Sequence, residues 1–335
     1  MDKIILEGVD RYRVTEALFE SARVVLNYRG EPYSAAYVQG ISGAAFRIGG
    51  ICPCAPTCTS AMSTSDLLKL FGYEIEELRL YVKDSEVDAN AYAERVLPEM
   101  VSRIKAEIRT GRPALVWNAF TNCEWDVVAG FDEAERKLYG RGSYAGLEND
   151  YAAAGETRPT ECVEGCGAFG AIFVGEKTGT FDARAAELAA LREAVNHAHT
   201  RKDAELQNSD EWVFLQGIQC YERWIHDFES PDRKRTMGDA YCLGVYHSTH
   251  RAAADFMREI APKYPAAAAH FEQAAAYFTA EADALDACMP LLWWNAPEGP
   301  DPERNAKVVP LLRQARDSYA RAVGETERVL ASIDK

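Results

Sequence analysis

The sequence changes character near residue 180, and this change limits the folds that the chain can adopt. Before it, helical patterns come first and strand-like runs follow with short connections. That order is typical of an α+β domain rather than of a parallel βαβ sheet. The segment 141–160 is rich in Gly, Ala, Tyr and Thr and is predicted to be a long loop. We predict helices at 15–28, 65–71 (capped by Ser65) and 89–110, and strands at 114–117, 125–131, 137–139 and 169–174.

From Phe181 onward the pattern is helical almost throughout. Proline-containing breaks separate the stretches, and the last of them are rich in Ala, Glu and Arg, which suits a helical bundle. The predicted helices lie at 182–206, 210–229, 238–261, 265–288 and 303–333. A chain of 335 residues is long enough for two domains. We therefore predict a mixed domain over 1–180 and an all-α domain over 181–335, and we expect any homo-oligomer to form through the helical domain.

Composition argues against two classes of partner. The formal net charge is −15, with 37 basic and 52 acidic residues, and phosphate binding requires a basic face, so no nucleic-acid partner is expected. No window reaches 18 apolar residues, so no membrane span is expected. The first residues, Met1–Glu7, bring acidic side chains at once and do not form a signal-peptide pattern. We expect a cytoplasmic protein.

The nine cysteines are unevenly spread, and five of them fall into two tight groups. These groups are Cys52, Cys54 and Cys58 in a C-x-C-x₃-C segment, and Cys162 and Cys166. Three closely spaced thiolates can hold a soft cation, and the second group can supply a further ligand. Zinc, copper(I) and an iron–sulfur cluster are not separated by this spacing. A reactive thiol and a purely structural role remain as alternatives.

No histidine precedes His197, so residues 1–196 cannot supply a self-contained Cys–His or Ser–His nucleophile. His247 and His250 are three residues apart in a helical stretch, where they can act as ligands or as packing contacts. The run Gly165–Gly170 fits G-x-G-x-x-G, but a strand-like run follows it and a loop precedes it. A dinucleotide fingerprint needs the opposite order, so we interpret this run as a loop.

Several segments resemble one family. Leu18–Gly30 resembles the first helix of the papain-like domain of bacteriocin-processing peptidases, and Trp125–Asp132 resembles the strand that carries their catalytic histidine. Gly40–Arg47 is similar to a motif of related bacterial proteins. Gly217–Trp224 and His250–Phe256 resemble the helical second half of the same group, which includes butirosin biosynthesis protein H. That relative transfers an aminoacyl group from a carrier protein to an aminoglycoside.

The resemblance implies that both catalytic positions are replaced. The nucleophile position falls at Ala17, at a helix N-terminus where the dipole would stabilise a thiolate. The histidine position falls at Glu124, between Cys123 and Trp125. Glutamate can act as a base, but Glu124 beside Ala17 cannot form an acyl-enzyme. Cys123 can replace the nucleophile only in a rebuilt site.

These observations favour a binding protein built on an inactive papain-like fold. Its ligand would be a small polar molecule in a cleft, or a metal ion at the cysteine-rich segment. The alternative is an acyltransferase or hydrolase that uses a non-standard cysteine nucleophile or a bound metal, with His247 or His250 contributed by the helical half. A structural or protein-interaction role for the bundle is the third hypothesis. The predicted cleft residues are Glu16, Glu20, Ser42, Arg47, Trp117, Glu124, Trp125 and Asp126.

Overall fold

A computed structural model describes residues 2–50, 55–81, 89–161, 169–200 and 215–333. It is mixed, with an antiparallel sheet and many helices, most of the helical residues lying in the C-terminal half. The predicted α+β class is therefore confirmed. The strands are β1 (Lys3–Ile5), β2 (Tyr73–Leu78), β3 (Ala114–Trp117), β4 (Trp125–Asp132), β5 (Lys137–Arg141), β6 (Ala152–Gly155) and β7 (Ala171–Lys177).

The helices of the described residues are shorter in the first half and longer in the second. They are α1 (Ala17–Tyr28), α2 (Ala35–Ile41), α3 (Ala55–Cys58), α4 (Thr64–Leu70), α5 (Ala89–Arg109), α6 (Ala183–His199), α7 (Ile218–Glu229), α8 (Met237–Ile260), α9 (Ala268–Leu292) and α10 (Pro302–Ile333).

The chain divides into two compact units, which we call the sheet unit and the helical unit. The sheet unit consists of Met1–Ser34 and Met62–Phe181, and the helical unit of Ala35–Ala61 and Asp182–Lys335. The later boundary between the two units lies between Phe181 and Asp182, whereas the sequence-based boundary is 180/181. Residues 35–61, however, belong with the helices rather than with the sheet.

The strands of the sheet unit pair in the order β2-β7-β3-β4-β5-β6, all antiparallel. The central strand β4 is almost completely buried, as expected of an apolar run between two neighbours. Its first half pairs with β3 and its last three residues pair with β1, so those two short strands share one edge of β4. Helix α1 packs on β4 and β3, which brings the helix N-terminus to the sheet.

Packing in the helical unit is dominated by the last three helices. Helix α9 packs along both α8 and α10, and α2 packs on α8. Helix α8 begins at a capping box in which Thr236 and Asp239 satisfy each other's backbone N–H groups. Buried aromatic side chains fill the interior, among them Trp224, Tyr246 and Tyr319.

The structure also corrects some predicted elements. Ser63 rather than Ser65 caps α4, because Ser63 and Asp66 form a capping box. The 141–160 loop contains strand β6, which pairs with β5. Helix α5 runs without a break through Pro98. The short strands β1 and β2 had no clear pattern in the sequence.

Candidate functional site

The N-terminus of α1 occupies the position predicted for a nucleophile. Ala17 is the first residue of the helix and is buried. The side chain of Glu16 caps the helix, with its two carboxylate oxygens accepting from the N–H groups of Leu18 (2.8 Å) and Phe19 (3.0 Å). A negative charge is favourable there because the helix dipole points its positive end at it. The positive end of α1 is thus capped by a carboxylate.

Asp126, in β4, holds the preceding loop in place. Its Oδ2 accepts from the N–H groups of Phe120 (2.6 Å) and Thr121 (3.0 Å), and its Oδ1 accepts from the Thr121 hydroxyl (2.5 Å). Burial raises the pKa of Asp126 to about 7, although these hydrogen bonds favour the charged form and oppose the rise. Asp126 is therefore a carboxyl group that changes charge near neutral pH, in the interior of the sheet unit.

The loop between β3 and β4 contains two non-glycine residues in the left-handed region. Asn118 has a φ of 59° and Cys123 has a φ of 55°, and backbone strain of this kind concentrates at functional sites. Asn118 fixes the loop, since its Oδ1 accepts from the Cys123 N–H at 3.0 Å and its Nδ2 donates to the carbonyls of Arg158 and Glu161. Sequence reasoning missed Asn118, although Asn tolerates this conformation better than most residues.

Tyr12 is a second residue that was not predicted from the sequence, and four of the predicted residues influence its pKa. Its hydroxyl donates to the backbone carbonyl of Trp125 at 2.6 Å. Burial raises its pKa well above the ordinary value. The negative charges that raise it further are, in order, those of Asp126, Glu20, Glu124 and Glu16. The charges of those four carboxylates therefore all act on one phenol.

Glu20 and Glu124 differ in how their carboxylates are used. Glu20 is completely buried and forms an ion pair with the guanidinium of Arg23 (Oε1 to Nε, 2.7 Å), and it accepts from the Arg13 N–H at 2.6 Å. Glu124, directly before β4, is 7% exposed. Nearby, the hydroxyl of Tyr144 accepts from the Asn122 N–H at 2.7 Å, and burial together with Glu124 and Asp126 raises its pKa to about 12.

Trp117 and Trp125, which are register partners in β3 and β4, form an aromatic pair. Their rings meet edge to face with centroids 5.7 Å apart, and Phe169 contacts Trp117 in the same way at 4.6 Å. Trp117 is 3% exposed, and its indole N–H has no hydrogen-bond partner among the described residues. An aromatic face next to negative charges is the arrangement that attracts cations.

Ser42 and Arg47, also predicted for the cleft, belong to the helical unit. Ser42 stabilises a local turn, with its hydroxyl donating to the Gln39 carbonyl and accepting from the Ala44 N–H. Arg47 pairs with Glu193 at 2.5 Å and donates to Nδ1 of His197 at 3.3 Å. Both side chains thus have structural contacts within their own unit.

Buried side chains of the helical unit bind the backbone of residues 46–49. The Tyr319 hydroxyl donates to the Phe46 carbonyl at 2.9 Å, and the Gly49 N–H donates to the Tyr246 hydroxyl at 3.0 Å. Because Arg47 can only donate to Nδ1 of His197, the other ring nitrogen carries the proton and donates to the Ile48 carbonyl at 2.9 Å. This segment runs through a buried region without strand partners, and side chains satisfy its polar groups.

His250 takes part in the same network and is not directed at a cleft. Its Nε2 donates to the Arg47 carbonyl at 2.8 Å, and its Nδ1 lies 2.6 Å from Oε1 of Glu281. Burial alone would lower the pKa of His250, but the carboxylate of Glu281 outweighs it and raises the pKa. His247 is partly exposed and lies 3.5 Å from Asp286.

The predicted metal ligands Cys52, Cys54, Cys162 and Cys166 lie outside the described residues, and so does the side chain of Cys58, whose backbone ends α3. Within the described ranges, no group of three or more His, Cys, Asp or Glu side chains is placed to hold a metal ion. Burial raises the pKa of the Cys220 thiol far above its ordinary value, so this cysteine stays protonated.

Comparison with protein-family models gives no match to this chain, and no curated protein matches its sequence. None of the helices in the described ranges is long and apolar enough to cross a membrane.

Proposed function

We propose that the chain is a non-catalytic binding protein that holds a small polar molecule in the sheet unit. The observation that supports this most strongly is the pair Ala17 and Glu124. One begins the helix, the other precedes the strand on which that helix packs, and neither can act as a nucleophile that forms an acyl-enzyme. The papain-like resemblance assigns catalysis to these two positions, so we interpret the fold as an inactive relative of such peptidases.

The ligand is expected to carry a positive charge. Glu16, Glu20, Glu124 and Asp126 act together on the Tyr12 hydroxyl, so negative charge is concentrated in this part of the sheet unit. Glu16 and Glu20 are already committed to a helix cap and to an ion pair. We assign the ligand to Glu124, the carboxylate directly before β4 at the position that the resemblance gives to the catalytic histidine.

Catalysis by acyl transfer or hydrolysis has less support. All six histidines of the chain lie at or after residue 197, so the sheet unit contains none to activate Cys123. His250, which the alternative would use, is completely buried between Glu281 and the Arg47 carbonyl. An enzyme of this kind would need its general base from elsewhere.

The test is calorimetric binding of putrescine to wild-type protein, Glu124→Gln and Glu135→Gln. Glu135 is an exposed carboxylate in the β4–β5 turn and serves as the matched control. We expect putrescine to bind the wild type and the control alike. Glu124→Gln should bind roughly tenfold more weakly, as expected when one charge-assisted hydrogen bond is lost. Equal affinity in Glu124→Gln, or no binding to the wild type, would contradict the assignment.

A metal ion at the cysteine-rich segment is a second candidate ligand. The Cys220 thiol donates to the Gly49 carbonyl at 2.6 Å, and the Cys242 thiol lies 3.7 Å from the Gly50 carbonyl. Two buried thiols therefore contact the backbone of Gly49 and Gly50, and the proposed ligands remain the cysteines of the C-x-C-x₃-C segment that follows. Zinc, copper and an iron–sulfur cluster would all suit such ligands.

Elemental analysis and an absorbance spectrum of protein purified without oxygen test this candidate. Metal should be present in the wild type and in the control Cys288→Ala, and should be lost in Cys54→Ala. Colour would indicate copper or a cluster, whereas zinc is visible only by mass. Metal-free wild-type protein, or metal that remains in Cys54→Ala, would exclude this site.

A further inference from the structure

Three aromatic side chains, which we call the aromatic cluster, meet where α8 begins and α9 ends. Trp293 and Trp294 directly follow α9, and Tyr241 lies in the second turn of α8. The ring of Trp294 meets that of Trp293 edge to face, with centroids 6.3 Å apart and an interplanar angle of 73°. It meets the ring of Tyr241 in the same way, at 6.4 Å and 71°. The rings therefore stand as walls around one another and do not stack.

The aromatic cluster also carries the exposed apolar surface of the helical unit. Trp294 is 45% exposed, and Met237, one helical turn before Tyr241 on the same face of α8, is 55% exposed. These are the two large apolar side chains that are exposed in the described part of this unit. A single exposed apolar residue is ordinary, but a concentration of them at one place marks a binding surface.

A glycine inside α8 gives one of these rings its place. A Cβ atom at Gly244 would lie only 2.9 Å from Cζ3 of Trp293, so any larger residue would displace the ring. Glycine in the interior of a helix is destabilising relative to alanine. Its presence at position 244 is explained by the close approach of the Trp293 ring, which is therefore positioned by the sequence of α8.

The end of α9 supplies a partial negative charge beside the rings. Trp293 is the C-cap residue, and its N–H donates to the carbonyl of Met289. The following carbonyls, at 290–292, accept no hydrogen bond from the part of the chain that the structure describes. Unpaired carbonyls at the carboxyl end of a helix favour a nearby cation. Arg235, which donates to the Ala296 carbonyl, adds no net charge because it pairs with Glu298 at 3.3 Å.

The faces of the two tryptophan rings are not covered by a cation of the protein. Elsewhere in the helical unit, Arg233 lies over the ring of Phe228 and Arg321 over that of Tyr277. Within the described ranges, no lysine or arginine lies over Trp293 or Trp294. Tryptophan offers the strongest face for a cation among the aromatic residues, so a cation from outside the chain can occupy this position.

We propose that the aromatic cluster binds a small quaternary ammonium cation of the choline type. The methyl groups of the cation would pack on Trp293, Trp294 and Tyr241, and its charge would be attracted by the ring faces and by the end of α9. A quaternary ammonium ion donates no N–H hydrogen bond, which suits a site built from aromatic rings. This site is separate from the one assigned to Glu124 and does not depend on it.

Choline is the probe, measured by calorimetry against wild-type protein, Trp294→Ala and Tyr277→Ala. Tyr277 is an aromatic residue of α9 whose ring is already covered by Arg321, which makes it the matched control. We expect choline to bind wild type and Tyr277→Ala equally, and to bind Trp294→Ala roughly tenfold more weakly. Trp294→Phe should be intermediate. Because Trp294 is half-exposed, Trp294→Ala should keep the melting temperature of the wild type, so that weaker binding does not reflect unfolding.

Dimethylbutanol, the uncharged carbon isostere of choline, separates the effect of charge from that of shape. It should bind the wild type roughly tenfold more weakly than choline does, and Glu124→Gln should bind choline as the wild type does. The proposal is overturned if choline fails to bind the wild type at millimolar concentration or binds Trp294→Ala equally well. It is also overturned if dimethylbutanol binds as tightly as choline.

Phosphatidylcholine vesicles present the same cation as a lipid headgroup. We expect the protein to stay in the supernatant when the vesicles are sedimented, because two exposed apolar side chains bury too little surface to hold a protein on a bilayer. Co-sedimentation that is lost in Trp294→Ala would assign the aromatic cluster to a lipid surface and would overturn the proposal of a free cation.

Discussion

Asp126 makes the stability of the sheet unit depend on pH in a direction unusual for a carboxylate. Because burial raises its pKa to about 7 in the folded state, folding favours the protonated form. The stabilising contribution is complete below the unfolded-state pKa, near 4, and is lost as the pH rises through 7.

Asp126→Asn should remove this dependence. Asparagine can keep the acceptor for the Phe120 and Thr121 N–H groups and can donate to the Thr121 hydroxyl. The unfolding free energy of the variant relative to wild type should increase by about 4 kcal/mol between pH 4 and pH 8. Urea denaturation at both pH values measures it, and a pH-independent difference would show that Asp126 is charged throughout.

In the helical unit, His197 makes the stability depend on pH in the opposite direction. Burial, and then the positive charge of Arg47, lower its pKa to about 3. The folded state therefore requires the neutral ring, and stability that is complete above pH 6.5 falls steadily as the pH drops toward 3. The nearby His250, whose pKa is raised, partly offsets this effect.

The comparison of wild type with His197→Gln isolates this contribution. Glutamine can still donate to the Ile48 carbonyl but does not titrate. On acidification from pH 7 to pH 4, wild type should lose about 3 kcal/mol more unfolding free energy than the variant. Parallel pH profiles of the two proteins would contradict the buried neutral histidine.

At the level of single residues, the sequence predicted part of the site. The helix that carries Glu20 and the strand that carries Asp126 were recognised, and Glu16 and Glu124 directly precede these two elements. Tyr12 was missed, since its role depends on a contact with the Trp125 carbonyl 113 residues away. No local pattern encodes such a contact.

At the level of elements, long periodic helices and buried strands were predicted well and short edge strands were not. Strand β2 has the sequence YEIEEL, in which half of the residues are charged, and β1 has three residues. Pairing with β7 and β4 stabilises them, and that is a tertiary effect. The start of α4 is predictable from the sequence, because Ser63-x-x-Asp66 is a capping-box pattern.

The cap of α1 gives a prediction at the same scale. Glu16→Ala removes the acceptor of the Leu18 and Phe19 N–H groups. The variant should lose about 1 kcal/mol of unfolding free energy, and Glu16→Asp should recover most of it because aspartate is a preferred cap. Chemical denaturation measures both, and an unchanged stability of Glu16→Ala would mean that water caps the helix equally well.

At the level of the whole molecule, the assignment of residues 35–61 to the helical unit was not foreseeable from composition. A boundary drawn where the pattern changes assumes that each domain is contiguous. Here Tyr319, Tyr246, His197 and His250 bind the backbone of residues 46–49 inside the helical unit. Without that segment, these four side chains would each lose a buried hydrogen bond.

The fragment 182–335 should therefore be poorly folded on its own. Each buried polar group without a partner costs about 1–3 kcal/mol. Several such groups would lose a hydrogen bond at the same time in this fragment. Adding a synthetic peptide of residues 35–61 should restore cooperative unfolding, measured by near-ultraviolet circular dichroism during heating. A fragment that melts cooperatively without the peptide would contradict this role of residues 46–49.

The central claim is that the sheet unit binds and does not catalyse, and cysteine reactivity tests it most directly. Alkylation of all nine cysteines by iodoacetamide at pH 7, followed by mass spectrometry, compares each rate with that of free glutathione. We predict that no cysteine reacts faster than glutathione, because the sheet unit that contains Cys123 has no histidine and burial keeps Cys220 protonated. A cysteine alkylated more than tenfold faster than glutathione, Cys123 above all, would contradict the account.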